Sequence, residues 1–589
     1  MKINHIHENN FASHLTSKKI AFLLTNKKGS YFTLGIDSKY SGFFYYLNGR
    51  MFKIIDNLVA PGYLREVTNN IYNIERKRGH YTESFFLPYN KSSLVYQSED
   101  VNELDLYLDI RESYDNRQWG RFYEIKEKDG CIVIKFVKKT DSREDNSHNK
   151  LEYRLFLAIY GANLEYQKIE EWLLKRYAFD EARGDTSERY VYFPLKLRSN
   201  KFVFSVSNVM TKAVKEAKNI FSNLHRYVLF QKQQLKLIMK DLKDIELNLA
   251  YVNALNSLSS LIVDKGMFAG LPWFFQFWAR DEIISLKAVM SDRRFATSII
   301  DKYITGINHL FKSHPKSRIK SADALGWYFL RVRDYMEIYD LSAIKKKQII
   351  NLLKKSIEIL LKKNTSYEGF AVNNALETWM DTSINHTDTR EGVRIEIQAL
   401  RLFMYNFMYV LTKDETYKKL EESLRRNVRN RFWKNGYLKD GIDDSTIRPN
   451  VFIAAYVYPS LLYKEEWISC FKKALKALWL PWGGLASIDK KHEFFKQNYT
   501  GLDNCSYHRG DSWYWINCLA ALVMYRIDKK TFHDYINKII RASVKDILYQ
   551  GYVGHASELS DAVSQNAQAN YCQAWSNAMF IELIDEIYG

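Results

Sequence analysis

Between residues 104 and 110, apolar and polar side chains alternate strictly. Leu104, Leu106, Leu108 and Ile110 fall on one face, and Asp105, Tyr107 and Asp109 on the other. A period of two marks a strand with one buried face. Runs of the same kind recur at Cys131–Val137, Leu151–Ile159, Tyr190–Leu197 and Lys201–Val206, separated by turn-prone stretches such as Asp141–Asn149. Many short strands at this spacing predict a β-sandwich over residues 1–210. Within it, Thr25–Gly35 and Tyr40–Phe44 read as tight turns feeding strands, and the turns account for their glycines. No pair of acids in this half suggests catalysis.

The period then changes. Residues 211–244 carry a basic helical pattern that reads as a linker, its charge explained by a solvated face. From 245 to 589 the spacing predicts almost continuous helix, near 245–263, 281–291, 295–312, 321–339, 343–363, 392–413, 415–432, 448–462, 464–478, 511–527, 530–548 and 569–587. The connections between these twelve alternate, short after every even helix and mostly long after every odd one. Antiparallel helices place successive connections at opposite ends, so all the long loops fall on one face. Twelve helices arranged this way suit a double ring of six inner and six outer members; an open helical solenoid is the competing arrangement.

Composition adds limits. The chain has 589 residues, enough for two or more domains, and is 46% hydrophobic and 26% charged. Aromatics reach 15%, which suits sugar faces and filled cores alike. The net charge of +18 invites a nucleic-acid reading, but the cations are scattered, with only short clusters such as Lys345–Lys347, and no zinc spacing or RNA-binding box accompanies them. No nucleic-acid partner is expected. The five cysteines are widely spaced without C-x-x-C, which argues against a disulfide framework or a cysteine metal site. The first residues hold no apolar signal segment, and no apolar run approaches 18 residues. The expectation is a cytoplasmic protein without a membrane partner. Nucleotide, zinc-hydrolase and serine-nucleophile motifs are missing from the sequence, so neither cofactor nor metal is expected.

The unusual residues sit in the long loops. Gly270–Glu282 offers Trp273 and Trp278 as a stacking platform, with Arg280 and Asp281 suited to vicinal hydroxyls; an aromatic plug followed by an acidic helix start explains it equally well. Glu377–Glu396 packs acids, an aromatic and two arginines into twenty residues. Asp381 stands two residues from Trp379, and a carboxyl beside an indole is partly desolvated and holds its proton nearer neutrality. A general acid needs that property. Glu377, Asp388, Glu391 and Glu396 are rivals. Gly441–Asn450 offers Asp443, Asp444 and Arg448, though a helix start with Pro449 accounts for much of it. Tyr507–Trp515 clusters aromatics with His508, Arg509 and Asp511. Gly554–Asp561 carries Glu558, shortly before Gln573 and Trp575. In a closed ring the loops holding Asp381 and Glu558 face each other, which is the layout an inverting glycosidase needs; a helix cap or surface position is the plainer reading of Glu558.

Six of these motifs together resemble the amylo-α-1,6-glucosidase domain of glycogen debranching enzymes in its prokaryotic form. They are P-W-F-F-Q-F-W-A-R-D (Pro272–Asp281), A-D-A-L-G-W-Y-F (Ala322–Phe329), T-W-M-D (Thr378–Asp381), I-R-P-N (Ile447–Asn450), Y-H-R-G-D-S-W-Y-W (Tyr507–Trp515) and Q-A-W-S (Gln573–Ser576). They occur in family order across about residues 250–589. N-K-K-G-S-Y and Y-S-G-F-F extend a weaker resemblance to the family's β-sandwich. The resemblance implies an (α/α)6 barrel over 245–589 and an inverting glucosidase without a metal. It places the general acid at Asp381 and the base at Glu558. Arg280 and Asp281 then belong to the glucose subsite, with Trp273, Trp379 and Trp513 as candidate walls; Trp278, Arg448, His508, Arg509, Gln573 and Trp575, in the same motif loops, are further candidates for substrate binding. The sequence departs from the family at Ala279, Ser41, Gln398 and Asp511, where glycine, histidine, asparagine and threonine are usual. The expected substrate is an α-glucan or oligosaccharide with α-1,6 glucose stubs. The alternatives are action on α-1,4 glucan or trehalose, and a glycan-binding protein without activity.

Overall fold

The computed structural model describes residues 1–139, 152–236, 240, 242–311 and 321–589. The turn expected at Asp141–Asn149, the first residue of the run at Leu151, parts of the linker and the end of the helix expected at 295–312 lie outside the described residues. Two compact units divide the chain: Met1–Asp264 with Ile547–His555, and Lys265–Asp546 with Ala556–Gly589.

The first unit is built on a large mixed sheet. Its spine is two 20-residue strands, Ser93–Glu112 and Glu188–Ser207, paired antiparallel. Each changes neighbour midway. Ser93–Glu112 takes Tyr81–Phe86 along its first half and Arg50–Val59 along its second. Glu188–Ser207 takes Glu165–Arg176 and then Tyr153–Gly161. Most neighbours are antiparallel, while Lys2–His7 runs parallel to Leu64–Asn69. Leu104, Leu106 and Leu108 face a core shared with Phe22, Phe32, Phe43, Leu195, Leu197 and Phe202, as the alternation requires. Tyr190–Leu197 and Lys201–Val206, distinct runs in the sequence, are two stretches of one strand. The irregularity between them is absorbed by its partner, whose register shifts between Gln97 and Asn102.

Among the described residues, two helices precede the helical region. α1 is the short Ala178–Ala182, and α2 is Met210–Lys236. α2 buries Ala213, Val214, Ala217, Ile220 and Leu224, at helical spacing, against Phe86, Val95, Val133, Ala158 and Val203 of the sheet. Its lysines lie on the remaining face.

The twelve expected helices follow: α3 Ile245–Leu261, α4 Ala279–Ser285, α5 Arg293–Phe311, α6 Ala324–Ile338, α7 Ala343–Lys363, α8 Ile395–Thr412, α9 Glu415–Phe432, α10 Asn450–Val457, α11 Lys464–Leu478, α12 Tyr514–Asp528, α13 His533–Tyr549 and α14 Ala574–Tyr588. The even-numbered helices contact one another in a closed circuit, α4 to α6, α8, α10, α12, α14 and back to α4. Burial separates the two series except at α3, which is buried continuously from Leu247 to Ala254. α12 is buried from Tyr514 to Met524 on every side, whereas α7 buries only the stripe Ile349, Leu352, Leu353, Ser356 and Ile357. A helix apolar all round belongs inside its domain, and one with a single stripe belongs on its surface. Only Lys413 and Asp414 separate α8 from α9, but residues 364–394 separate α7 from α8. The long connections therefore all enter the N-termini of the even helices. Among the described residues no helix is long and apolar enough to cross a membrane.

Candidate active site

The six long loops are stitched to one another around the circuit. Gly270–Leu271 pairs with Cys572–Gln573, joining the loops before α4 and α14. Gly270 is needed there, because a Cβ on it would fall 2.7 Å from the Cys572 carbonyl oxygen. Ser512–Trp513 pairs with Leu559–Ser560, joining the loops before α12 and α14. Asp489 N–H donates to the Ile447 carbonyl, Ile395 N–H to the Asp440 carbonyl, and Ala322 N–H to the Glu377 carbonyl. Arg280 closes the circuit on Asp323, with Nε 2.9 Å from Oδ2. Residues hundreds of positions apart thus share one rim.

Asp381 and Arg280 form one side of the site. The Arg280 guanidinium is committed mainly to Asp323 and to the Thr378 carbonyl at 2.8 Å. It reaches Asp381 Oδ2 through one 3.3 Å contact. The Asp381 side chain stays 40% exposed although the groups around it are buried. Desolvation raises its pKa above the usual carboxylate range, and Arg280 opposes the rise. The rival acids are engaged elsewhere. Glu377 accepts from Asn374 N–H and Nδ2. Asp388 pairs with Arg509. Glu396 receives Arg390 at both oxygens, within a buried network that includes Asp440. Glu391 is exposed.

Glu558 is buried in the loop before α14. Both carboxylate oxygens accept hydrogen bonds, Oε1 from the Tyr507 hydroxyl and Oε2 from Asn570 N–H at 3.0 Å. Such donors suit an anion. Asp281 lies between the two carboxylates electrostatically. Burial pushes it up to about 7, Arg280 pulls against this, and Glu558 and Asp381 both add to the rise. Gln573 Nε2 donates to its Oδ1 at 3.1 Å. The Tyr507 hydroxyl likewise feels both Glu558 and Asp381. Asp381 and Glu558 are therefore members of one charge cluster.

Aromatic rings back this cluster. Trp379 is buried, donates from Nε1 to Asn450 at 2.6 Å, and meets His508, Trp513 and Trp515 edge to face. His508 stacks on Trp513 with centroids 5.1 Å apart and hydrogen-bonds Thr382 at 2.9 Å through Nδ1. Burial, reinforced by Arg509, Arg280, Arg448 and Arg390, holds its pKa well below the ordinary value, so the ring is neutral. Trp575 stacks on Trp515 at 4.8 Å. Trp273 is nearly buried, while Trp278 is 44% exposed beside Phe274. Arg509 clamps Thr382 through its carbonyl and hydroxyl. Arg448 lies 3.5 Å from Asp440 and donates to the His508 carbonyl. Tyr507, Asn570, Asp323 and Thr382 also shape the site. Tyr507 and Asp323 sit inside quoted motifs, but nothing local shows what they touch. Among the described residues no three His, Cys, Asp or Glu side chains are grouped to hold a metal ion.

A helical circuit whose long loops gather carboxylates, arginines and tryptophans at one rim is the build of a glycoside hydrolase. The chain belongs to the amylo-alpha-1,6-glucosidase family, whose profile matches residues 250–582. Among solved structures, it is similar to a bacterial glucoamylase complexed with acarbose, with a TM-score of 0.63 and 12% identity over 97% of this chain and 94% of that one. A structure described as a wild-type glycosidase reaches a TM-score of 0.44 at 12% identity, covering 59% of this chain and 99% of its own. Comparison with curated proteins gives no match.

Proposed function

We propose that the protein is an exo-acting, inverting glucosidase that releases glucose from α-1,6 stubs on glycogen-like or limit-dextrin glucan. Residues 245–589 form its (α/α)6 barrel, 1–210 a β-sandwich, and 211–244 the connection between them. Asp381 protonates the glycosidic oxygen, and Glu558 removes a proton from the water that attacks C1 from the opposite face. The observation that carries this reading is the unlike surroundings of two acids in one charge cluster. Desolvation favours the protonated form of Asp381, while each oxygen of Glu558 accepts a hydrogen bond, and a carboxylate oxygen offers a second lone pair to water. Arg280, whose fork is held mainly by Asp323, opposes the rise in the Asp381 pKa through its charge and one 3.3 Å contact, and the rise persists. Asp281, held by Gln573, takes sugar hydroxyls, and Trp278 offers an open ring to the leaving glycan.

The test uses Asp381→Asn and Glu558→Gln with branched limit dextrin, panose, maltotriose and trehalose. Each variant is expected to lose glucose release and keep oligosaccharide binding; near-normal turnover in either sinks the assignment. Proton NMR of the first-formed sugar should show β-glucose, and α-glucose would contradict inversion. The likeness to a glucoamylase bound to acarbose supports a second reading, in which α-1,4 linkages are preferred. Faster release from maltotriose than from panose would select it.

A further inference from the structure

Away from the loops, a cavity of about 650 Å³ opens where α12 and α14 end and α13 begins. Its lining includes Tyr525, Lys529, Asp534, Asn537, Ile587 and Tyr588. α12 and α14 both start at the rim of the candidate active site and finish here. At 1.5 Å per residue, the 15 residues of α14 place the two ends about 22 Å apart. The cavity is therefore separate from the candidate active site.

Its surfaces are of two kinds. Tyr588 is 47% exposed, Tyr525 is half-buried with the Lys529 ammonium 5.6 Å from its ring centre, and Ile587 completes an apolar floor. The rim is polar and open to water. Asp534 is 95% exposed and its carboxylate stands 3.2 Å from His533 Nδ1; the Asn537 amide approaches the same ring at 3.1 Å. A wholly apolar ligand would make no use of these rim groups. A polyanion would gain from Lys529 and Lys530 but would meet the Asp534 carboxylate and leave the exposed aromatic face unused. A saccharide suits both surfaces, since its C–H face lies on aromatic rings while its hydroxyls donate and accept.

We infer that this cavity is a second saccharide-binding site, holding a remote segment of a polymeric glucan while a chain end occupies the loop rim. The inference rests on the glucan reading above. Two contacts on one polymer make the second association intramolecular, so a weak site tightens polymer binding without touching short substrates.

The full chain is compared with Tyr588→Ala and with Asp534→Ala/Asn537→Ala, all at exposed positions, by native affinity electrophoresis in gels containing glycogen and by panose hydrolysis. Both variants should lose about tenfold in apparent affinity for glycogen, with panose turnover unchanged within about twofold. Unchanged retention overturns the inference, as does a matching loss on panose. Retention that disappears in salt and is equalled in gels containing dextran sulfate also overturns it, in favour of polyanion binding. A wild-type chain that hydrolyses panose but is not retained by glycogen removes the second site and leaves the proposed activity standing. Retention that depends on Tyr588, without hydrolysis of any glucoside, does the reverse.

Discussion

Asp511 carries the most exposed consequence of this arrangement. It stands where the resemblance expects threonine, and it is fully buried. Ser506 Oγ donates to its Oδ2 at 2.7 Å, while Oδ1 has no hydrogen-bond partner. Asp511 and Asp561 each adjoin the paired ends Ser512 and Ser560 of two antiparallel strands, and their like charges oppose ionisation. Burial pushes the Asp511 pKa from 3.8 up to about 8, with Asp561, Glu558 and Asp503 adding to the rise. The unfolded chain releases this proton near pH 4 and the folded chain only near pH 8. Stability is thus unaffected below about pH 4, falls as pH rises through the window between, and has lost its full amount above about pH 8. A shift of about four units corresponds to roughly 5–6 kcal/mol at 1.36 kcal/mol per unit, an upper limit that relaxation and water entry reduce to about 3 kcal/mol. Asp511→Asn keeps the acceptor for Ser506 and cannot ionise. It should match wild type near pH 4 and exceed it increasingly up to pH 9, by about 4 °C in Tm for a unit of this size. Differential scanning calorimetry of both proteins across pH 4–9 measures this. A Tm difference independent of pH, or one that favours wild type as pH rises, would refute the reasoning.

Tyr507→Phe removes the hydroxyl that donates to Glu558 Oε1 and should lower kcat on the preferred glucoside about 10- to 100-fold while leaving KM within about threefold; steady-state kinetics showing unchanged kcat would mean that the proposed base does not need this donor. Gly326→Ala adds a Cβ 2.6 Å from the Leu400 Cβ, where α6 meets α8. It should cost about 1–3 kcal/mol in urea unfolding, and full stability would show that the two helices can part without loss.

The parts of this molecule that could be read in advance are those where burial repeats with a short period. The helix series stood out because inner and outer members keep different residues dry. The stripe of α7 and the unbroken apolar length of α12 announce their places before any contact is known. The sheet was legible where apolar residues alternate, as at Leu104–Ile110, or run together, as at Cys131–Val137. Glu165–Arg176 is exposed or half-exposed along its whole length, so no period of two survives in its sequence. α2 was harder to place, since its lysines suggested a solvated linker while the stripe that packs on the sheet is short and built partly from alanine.

The candidate site follows a different rule. Within Glu377–Glu396 the sequence offers five acids of equal standing, and proximity to Trp379 is a weak reason to choose among them. What separates them is which cation or amide each one meets, and those partners come from other loops: Arg509 for Asp388, and a shared Arg390–Asp440 network for Glu396. Asp381 is left with one long contact to an arginine that Asp323 already holds. Glu558 gains its character from a tyrosine and a backbone amide on opposite sides of it in the chain. The candidate acid is thus singled out by the cations and amides its competitors have taken. That property belongs to the closed circuit of loops and not to any one of them, so a sequence reading can nominate Asp381 but cannot exclude its rivals.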